Sequence, residues 1–455
     1  MIYSFLKLLF RITVKAFFKH QETINIEHIP VKGPVILVAN HPSTFMDPII
    51  IATKVPREVS FIAKSTAFKS KFTSWILPKF NMIPVFRAQD DPSQMHKNQQ
   101  TFEKVFQLLE RNGCILIFPE GISLTERKLK EIKTGAARMA LGAEARNNFS
   151  LGVKILPIGL TYSDQHSFQS DLLVRIGEPI ELINYKDSYN TDPLAAGKQI
   201  TEEIRVRLEK LTIDIQDEEV DLFVKDVETV YKSQLIRDMG FSKEIPEHDY
   251  IVTKLIYKRI HYYLETDPDR VSKVRQYMDN YKRLLNKLNL EDHIIRGKRR
   301  RSSAILNFIG LFLYFLIGFP LFVFGTFNNY IPYKLPYRIA IWSKVEAQYI
   351  GAIMMVSGTF VFLIFYLLQI YLVQWWISDW RVTAVYTLVL PLSGLFAYNY
   401  WKAFTQLRRK WHFISLFMKK KELVSQLITM RTQIMDELEK GRKEYDKAHP
   451  VAPVQ

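Results

Sequence analysis

The chain has 455 residues, enough for more than one domain, and a net charge of +16 from 62 lysines and arginines against 46 aspartates and glutamates. Aromatic residues make up 13% of it, and a basic, aromatic-rich chain indicates an anionic partner surface, either nucleic acid or lipid. The single cysteine excludes an intramolecular disulfide, and no cysteine–histidine cluster has zinc spacing, so we expect no metal.

Residues 1–20 are the first predicted element, a helix with cations at every fourth position: Lys7, Arg11, Lys15 and Lys19. One basic stripe beside apolar faces indicates an amphipathic helix in the membrane interface. The alternative is an ordinary terminal helix packed on a core. Because the segment has no small-residue cleavage site, we expect no cleaved signal sequence.

Residues 21–190 alternate strand-like and helix-like runs, which predicts an α/β domain with a mostly buried sheet and flanking helices. The predicted strands are 23–26, 35–39, 60–63, 83–86, 114–118, 153–158 and 172–176. One predicted helix begins at Asp91-Pro92, a cap followed by a first-turn proline, and ends at Gly113. A second helix covers roughly residues 131–146, where small residues are frequent.

The second half of the chain changes character twice. Residues 191–296 have long helical patterns and predict a helical extension. Residues 297–403 predict a transmembrane region of two to four segments, and residues 404–455 a cytosolic helical tail. The uncharged runs 304–327, 349–373 and 382–401 are each long enough to cross a bilayer at about 1.5 Å per residue. A tryptophan group follows the second run, as at a membrane interface: Trp375, Trp376 and Trp380.

Basic clusters flank this region on both sides. They comprise Arg296 and 298–301 before it, then 408–410 and 419–421 after it. The positive-inside rule places both flanks in the cytoplasm, which requires an even number of crossings. The sequence has three apolar runs, so the number of crossings stays open. A bend at Gly310, Gly318 or Pro320, or a further segment at 331–342, would resolve it.

A histidine and an aspartate follow the most apolar predicted strand. The stretch runs Asn40-His41-Pro42-Ser43-Thr44-Phe45-Met46-Asp47. A histidine with an unperturbed pKa of about 6.5 can accept a proton near neutral pH, and a carboxylate beside it stabilises the resulting imidazolium. Together they can activate a hydroxyl. The structural alternative is that each residue caps a turn.

Three further stretches place special residues at the predicted ends of strands. Arg87 ends Ile83-Pro84-Val85-Phe86-Arg87, and Glu120 and Gly121 follow Phe118-Pro119. The third stretch is Leu156-Pro157-Ile158-Gly159. Since ligands bind at the carboxyl ends of strands in open α/β sheets, these residues are expected to line one crevice.

In this order, the four stretches resemble the four motif blocks of the glycerolipid acyltransferases, which act on glycerol-3-phosphate and lysophosphatidate. The resemblance covers roughly residues 20–185 and implies an α/β acyltransferase domain with a mixed sheet, flanking helices and C-terminal transmembrane helices. The membrane segments resemble those of the branch of glycerol-3-phosphate and dihydroxyacetone-phosphate acyltransferases.

The spacing of the first block departs from the commonest form of the family. Five residues separate His41 from Asp47, where four are usual. One extra residue on a continuous helix rotates a side chain by about 100°, so a His–Asp contact here requires a non-helical turn. The third block also lacks the arginine that often follows Pro-Glu-Gly.

The resemblance implies a role for each motif residue. His41 is the general base and Asp47 orients it. Arg87 holds the phosphate of the acceptor, with a surface salt bridge as the alternative. Glu120 binds the hydroxyls of glycerol or orients Arg87, and Gly121 lets backbone amides approach phosphate. The remaining substrate-binding candidates are Ser123, Lys64 and Lys133, of which Lys133 has a solvated lysine as its alternative.

The implied reaction transfers an acyl group from acyl-CoA or acyl carrier protein to a hydroxyl of glycerol-3-phosphate, without a resident cofactor. The alternatives are 1-acylglycerol-3-phosphate or dihydroxyacetone phosphate as acceptor, or a non-catalytic lipid-binding membrane protein. The implied partners are membrane lipids, the acyl donor and the acceptor, with no nucleic acid. We expect an integral membrane protein whose catalytic domain faces the cytoplasm.

Overall fold

The computed structural model describes residues 2–123, 125–296 and 304–450, so the predicted basic cluster at 298–301 lies outside the described residues. The chain divides into two compact units. The first, called the sheet unit here, comprises Met1–Gln216, Glu244–Tyr250 and Tyr337–Thr359. The second, called the helical unit, comprises Asp217–Lys243, Ile251–Pro336 and Phe360–Gln455.

The sheet unit contains one mixed sheet. Its strands are β1 (Phe18–Ile24), β2 (Val35–Ala39), β3 (Ser60–Lys64), β4 (Met82–Val85), β5 (Cys114–Ile117), β6 (Lys154–Tyr162), β7 (Ser170–Ile176) and β8 (Ile180–Glu181). Their order is β1-β7-β6-β2-β5-β3-β4, and β8 pairs with β6. The strands from β6 to β4 are parallel to one another, whereas β7 is antiparallel to β6 and β1 is parallel to β7.

Helices make up most of the remaining chain. Those up to residue 211 are α1 (Ile2–Phe17), α2 (Met46–Lys54), α3 (Lys71–Ile76), α4 (Asn98–Glu110), α5 (Gly135–Arg146), α6 (Lys186–Thr191) and α7 (Pro193–Leu211). The later ones are α8 (Glu218–Val227), α9 (Ser233–Asp238), α10 (Pro246–Thr266), α11 (Pro268–Leu288), α12 (Asp292–Ile295), α13 (Ala304–Trp342), α14 (Ala347–Ile377), α15 (Trp380–Lys419) and α16 (Lys421–Ala448).

Strand β2 forms the centre of the core because all five of its side chains are buried. Successive side chains of a strand point to opposite faces of the sheet. Ile36 and Val38 join an apolar cluster with residues of α4, α5 and α7, whereas Val35, Leu37 and Ala39 join a second cluster with residues of α1, α2 and the start of α14. The sheet is therefore covered on both faces, which explains its continuous apolar strands.

Helix α7 contributes its apolar side to the first cluster, through Ala196, Ile200, Ile204 and Leu208. The boundary that the sequence suggests at residue 190 falls before this helix. Because the helix covers one face of the sheet, the sheet unit continues to Gln216.

The helical unit is organised around a buried carboxylate. Asp292 accepts hydrogen bonds from the Tyr281 hydroxyl and from Arg431 Nε, both at 2.8 Å, and pairs with Arg296 Nη2 at 2.8 Å. A buried charge is tolerated when it is paired and fully hydrogen-bonded, and removing one partner is costly. This network joins α11, α12 and α16.

Three helices in the described residues are long and apolar enough to cross a membrane: Gly310–Trp342, Ala347–Ile377 and Trp380–Lys419. The third helix extends well past residue 403, so the predicted start of the tail lies inside a continuous helix. Similarly, the predicted extra segment at 331–342 is the last part of α13, which contains Pro320, Pro332 and Pro336.

Helix α1 ends earlier than predicted, since Phe18 begins β1, and its basic stripe is not uniformly on the surface. Lys7 Nζ donates hydrogen bonds to the carbonyl oxygens of Val55 at 2.6 Å and Arg57 at 3.1 Å, at the carboxyl end of α2. Burial lowers the pKa of Lys7. Lys7 therefore caps a neighbouring helix, whereas Arg11 and Lys15 are exposed on a helix that also exposes Phe5, Leu8 and Ile12.

Candidate active site

The carboxyl ends of parallel strands bring the candidate residues together. Strand β2 ends at Ala39, directly before Asn40 and His41, and its neighbour β5 ends at Ile117, before Phe118 and Glu120. Strand β6, on the other side of β2, ends at Tyr162. Because these strands are parallel, their carboxyl ends meet at one edge of the sheet, as the sequence predicts for His41 and Glu120. The stretch Leu156-Pro157-Ile158-Gly159, which was also expected at a strand end, lies inside β6.

His41 and Asp47 are in direct contact, with 2.8 Å between His41 Nδ1 and Asp47 Oδ2. Residues 41–45 are not helical, and α2 begins at Met46. Within this turn Thr44 has a φ of 36°, in the left-handed region that β-branched residues rarely adopt. The predicted contact is confirmed, and the non-helical turn explains how it forms across five intervening residues.

The Asp47 carboxylate is fully buried and held by three donors. Besides the His41 ring, the Ser43 backbone N–H donates to Oδ2 at 2.7 Å, and the Tyr162 hydroxyl donates to Oδ1 at 2.6 Å. Burial, followed by the proximity of Asp47, raises the pKa of Tyr162 well above its usual value, so this hydroxyl stays protonated as a donor. These bonds fix the carboxylate and the tautomer of His41, in which Nδ1 carries the proton.

The His41 ring stacks on Phe118, with ring centroids 3.8 Å apart and planes within 13°. The His41 side chain is 18% exposed, and its Nε2 has no hydrogen-bond partner among the described residues. With Nδ1 held by Asp47, Nε2 is the atom that can accept a proton from a bound hydroxyl.

Glu120 holds the backbone at this edge. Its Oε1 accepts from the His41 N–H at 2.9 Å and its Oε2 from the Lys130 N–H at 3.0 Å. Burial raises its pKa, and these two hydrogen bonds oppose that shift. No hydrogen bond joins Glu120 to Arg87 within the described part of the chain. The expectation that Glu120 orients Arg87 is therefore wrong, because both of its oxygens are turned toward backbone amides.

Arg87 forms a salt bridge, which was the alternative to its predicted phosphate-binding role. Its Nε and Nη2 donate to the two oxygens of Asp90, both at 2.7 Å, and its Nη1 donates to the carbonyl oxygen of Gly121. The side chain is 21% exposed. A guanidinium has further N–H donors beyond those used here, so Arg87 can hold an additional oxyanion.

Gly121 and Ser123 lie in the loop after β5 and support the site through the backbone. Gly121 has a φ of 70°, which favours glycine, and its N–H donates to the Phe118 carbonyl oxygen at 3.1 Å. This amide is therefore used within the turn. Ser123 Oγ accepts from the Thr44 N–H at 2.8 Å, which joins this loop to the His41 turn.

The structure separates two lysines from the site. Lys133 Nζ pairs with Glu131, and both side chains are mostly exposed, at 55% and 80%. The solvated alternative is therefore correct for Lys133. Lys64 is exposed at the end of β3. Neither lysine contacts the His41–Asp47 pair, because the chain directs both side chains to solvent.

Sequence reasoning missed Tyr162 and the role of Asn40. Gly159 was predicted to end a strand, but β6 continues to Tyr162. Gly159 is needed inside the strand because a Cβ there would lie 2.4 Å from the Leu211 carbonyl oxygen. The side-chain amide of Asn40 makes the two bonds that a neighbouring strand would make to Leu160. Its Nδ2 donates to the Leu160 carbonyl oxygen at 3.0 Å, and its Oδ1 accepts from the Leu160 N–H at 2.7 Å. The β-prone run Leu160-Thr161-Tyr162 was the available signal.

The part of the chain that holds this site is similar to known acyltransferases. A family model described as Acyltransferase matches residues 20–161. Glycerol-3-phosphate O-acyltransferase 2 of Saccharomyces cerevisiae is 29% identical over 227 residues, which cover 50% of this chain and 29% of that protein. Glycerol-3-phosphate O-acyltransferase 1 of the same yeast is 28% identical over 231 residues, 48% of this chain and 29% of that protein.

A solved structure also aligns with the chain. It is the 1-acyl-sn-glycerophosphate acyltransferase PlsC of Thermotoga maritima, with 19% identity and a TM-score of 0.34, over 46% of this chain and 80% of that one. The chain spans less than a third of the length of either yeast relative, since 29% of each is covered. The matched residues 20–161 contain the His41–Asp47 pair and the residues around it, so the candidate site lies in the part of the chain that is similar to this family.

Proposed function

We propose that this protein is a membrane-anchored O-acyltransferase that transfers a fatty acyl group from acyl-CoA or acyl carrier protein to a hydroxyl of glycerol-3-phosphate. The observation that carries the proposal is the buried Asp47 carboxylate bonded to His41 Nδ1, which leaves Nε2 unpaired within the acyltransferase-family domain. The named activity of the two yeast relatives supports glycerol-3-phosphate as the acceptor. Lysophosphatidate and dihydroxyacetone phosphate are the alternative acceptors.

The reaction needs one base and no covalent enzyme intermediate. The acceptor hydroxyl oxygen attacks the thioester carbonyl carbon while His41 Nε2 takes the hydroxyl proton, and Asp47 stabilises the imidazolium. The C–S bond then breaks, and the departing thiolate takes that proton back from His41. Burial raises the pKa of Cys114 to about 12 and the side chain lies inside β5, so this thiol does not serve as a nucleophile.

Arg87 is proposed to bind the phosphate of the acceptor through its remaining N–H donors, because a guanidinium matches phosphate geometry. The link from Arg87 to the Gly121 carbonyl holds it beside the loop that follows β5. Glu120 and Ser123 are proposed to act as positioning residues, since both accept backbone N–H groups of the His41 turn.

A lipid-binding membrane protein without turnover is the competing function. The sequence feature that favours it is the five-residue gap between His41 and Asp47. Because the gap still permits a 2.8 Å contact, the geometry supports catalysis instead.

We also propose that the protein is an integral membrane protein with its acyltransferase domain in the cytoplasm. The three long apolar helices support membrane insertion. The basic residues 408–410 and 419–421, which follow the apolar part of α15, support a cytoplasmic flank by the positive-inside rule.

The test compares the purified parent protein with His41→Ala and Asp47→Asn. The acceptors are glycerol-3-phosphate, lysophosphatidate and dihydroxyacetone phosphate, each with acyl-CoA and with acyl carrier protein donors. We expect His41→Ala to lower kcat by about 10²–10⁴-fold, the range typical of general-base catalysis. Lys133→Gln is the matched control, and its rate should equal that of the parent. Full activity of His41→Ala would exclude the proposed base.

A further inference from the structure

The segment between β3 and β4 exposes large aromatic side chains that no role above explains. Phe72 is 68% exposed and Trp75 is 60% exposed, and both lie on α3. Lys79 Nζ lies 3.3 Å from the centroid of the Trp75 ring, close enough for a cation–π contact. Exposed aromatic rings beside lysines are typical of surfaces that rest in a membrane interface.

The local sequence builds this surface in an ordered form. Ser70 and Thr73 form a reciprocal capping box that begins α3. A short 3-10 helix, Leu77–Phe80, continues it with a proline in its first turn. The two aromatic rings are therefore presented by a folded helical turn three residues apart, which places them on the same side of the helix.

The charge of the segment is of one sign. It contains Lys64, Lys69, Lys71 and Lys79, and all four side chains are exposed. No aspartate or glutamate occurs anywhere between Glu58 and Asp90. Lysines near an anionic bilayer surface are attracted to it, so the charge of the segment complements a surface of anionic lipid.

The position of the segment also agrees with a bilayer partner. It begins at Lys64, the carboxyl end of β3, which is the sheet edge that carries His41. At this edge the ring of Phe45, in the His41 turn, lies 6.2 Å from the ring of Tyr349 near the start of α14. Helix α14 is one of the three helices suited to cross a membrane. Within the sheet unit, the site edge is thus next to a candidate membrane helix.

We propose that residues 64–80, called here the membrane-contact segment, rest on an anionic lipid bilayer. They form a second membrane attachment, in addition to the apolar helices. Phe72 and Trp75 insert at headgroup level and the four lysines bind lipid phosphates. The inference rests on the proposed membrane anchoring and is independent of acyl transfer. A bilayer is favoured over an acidic protein because the exposed rings of Phe72 and Trp75 are flanked by exposed lysines at positions 69, 71 and 79, so that apolar and cationic groups lie in one short stretch of chain.

The test uses the full-length chain in nanodiscs, with an environment-sensitive NBD fluorophore at Phe72→Cys. The matched control carries the fluorophore at Ile183→Cys, an exposed apolar position of the sheet unit between Glu181 and Asp187. The parent chain, in which Cys114 is buried, measures background labelling. In nanodiscs with anionic phosphatidylglycerol we expect the label at position 72 to emit at shorter wavelength and to be quenched by doxyl-labelled lipids, and the label at position 183 to do neither.

Removing the lysines separates charge from apolar contact. In the labelled chain, changing all four lysines (Lys64→Gln, Lys69→Gln, Lys71→Gln and Lys79→Gln) should abolish the difference between anionic and phosphatidylcholine nanodiscs. Equal emission at positions 72 and 183 would overturn the proposal, as would a blue-shifted label at position 72 that doxyl lipids fail to quench, because a protein surface would then cover it. Loss of acyl transfer would leave these optical results unchanged, so failure of the enzyme proposal is distinguishable.

Discussion

Tyr162 is the residue that completes the Asp47 environment, and its hydroxyl has a predictable effect on His41. In Tyr162→Phe the Asp47 carboxylate loses one of its three donors, so Asp47 and the His41 ring bonded to it are held less firmly. A hydrogen bond to a charged group contributes about 1.5–3 kcal/mol, and we expect the loss of this one to lower kcat by about 10-fold or more. The measurement is the kcat of the purified variant beside that of the parent.

The matched control for this measurement is Tyr250→Phe. Tyr250 is also buried in the sheet unit, but its hydroxyl donates to the backbone carbonyl of Lys210 at 2.8 Å. We expect its kcat to equal that of the parent. An unchanged kcat in Tyr162→Phe would contradict the positioning role.

Single residues were predictable where they follow a clear strand. His41 and Asp47 stand directly after an apolar run, so their type and place could be read from the sequence. Glu120 was found in the same way, but its partners are the backbone amides of Lys130 and of His41, and His41 is remote in sequence. A sequence motif identifies the carboxylate but does not indicate which groups donate hydrogen bonds to it.

At the scale of elements, Lys7 joins α1 to the end of α2. Lys7→Met keeps the aliphatic stem and removes the charged donor to Val55 and Arg57. Because the side chain is partly exposed, we expect a loss of about 1–2 kcal/mol in the free energy of unfolding, seen as a lower Tm of the detergent-solubilised protein. Lys15→Met, at an exposed position of the same helix, is the control and should leave the Tm unchanged.

The same measurement decides between two interpretations of the basic stripe. If Lys7 faced lipid headgroups, as the four-residue periodicity suggests, both substitutions would leave the Tm equal to that of the parent and would only weaken lipid binding. The sequence predicts the helix and its cations, but the position of a cation on a helix does not indicate which neighbouring group it contacts. Here the neighbour is the end of α2, whose last carbonyl oxygens attract a positive charge.

At the scale of the whole molecule, the proposed cytoplasmic location of the acyltransferase domain predicts a labelling pattern. With Ile183→Cys, a membrane-impermeant maleimide should label permeabilised cells and leave intact cells unlabelled. The parent chain controls for Cys114, whose buried thiol has a pKa raised to about 12 and is almost entirely protonated at pH 7. Labelling in intact cells would place the domain on the opposite side of the membrane.

The sequence alone determined the α/β class, the apolar helices and the proposed His41–Asp47 pair, because these follow from local patterns: alternation, uncharged length, and polar residues at the end of a strand. Only the tertiary structure decided that β6 runs on to Tyr162, that α7 belongs to the sheet unit, and that Lys64 and Lys133 point to solvent. Those outcomes depend on contacts between residues far apart in the chain, such as Gly159 with Leu211. Their physical cause is tertiary packing, which a local pattern of residues in the sequence does not indicate.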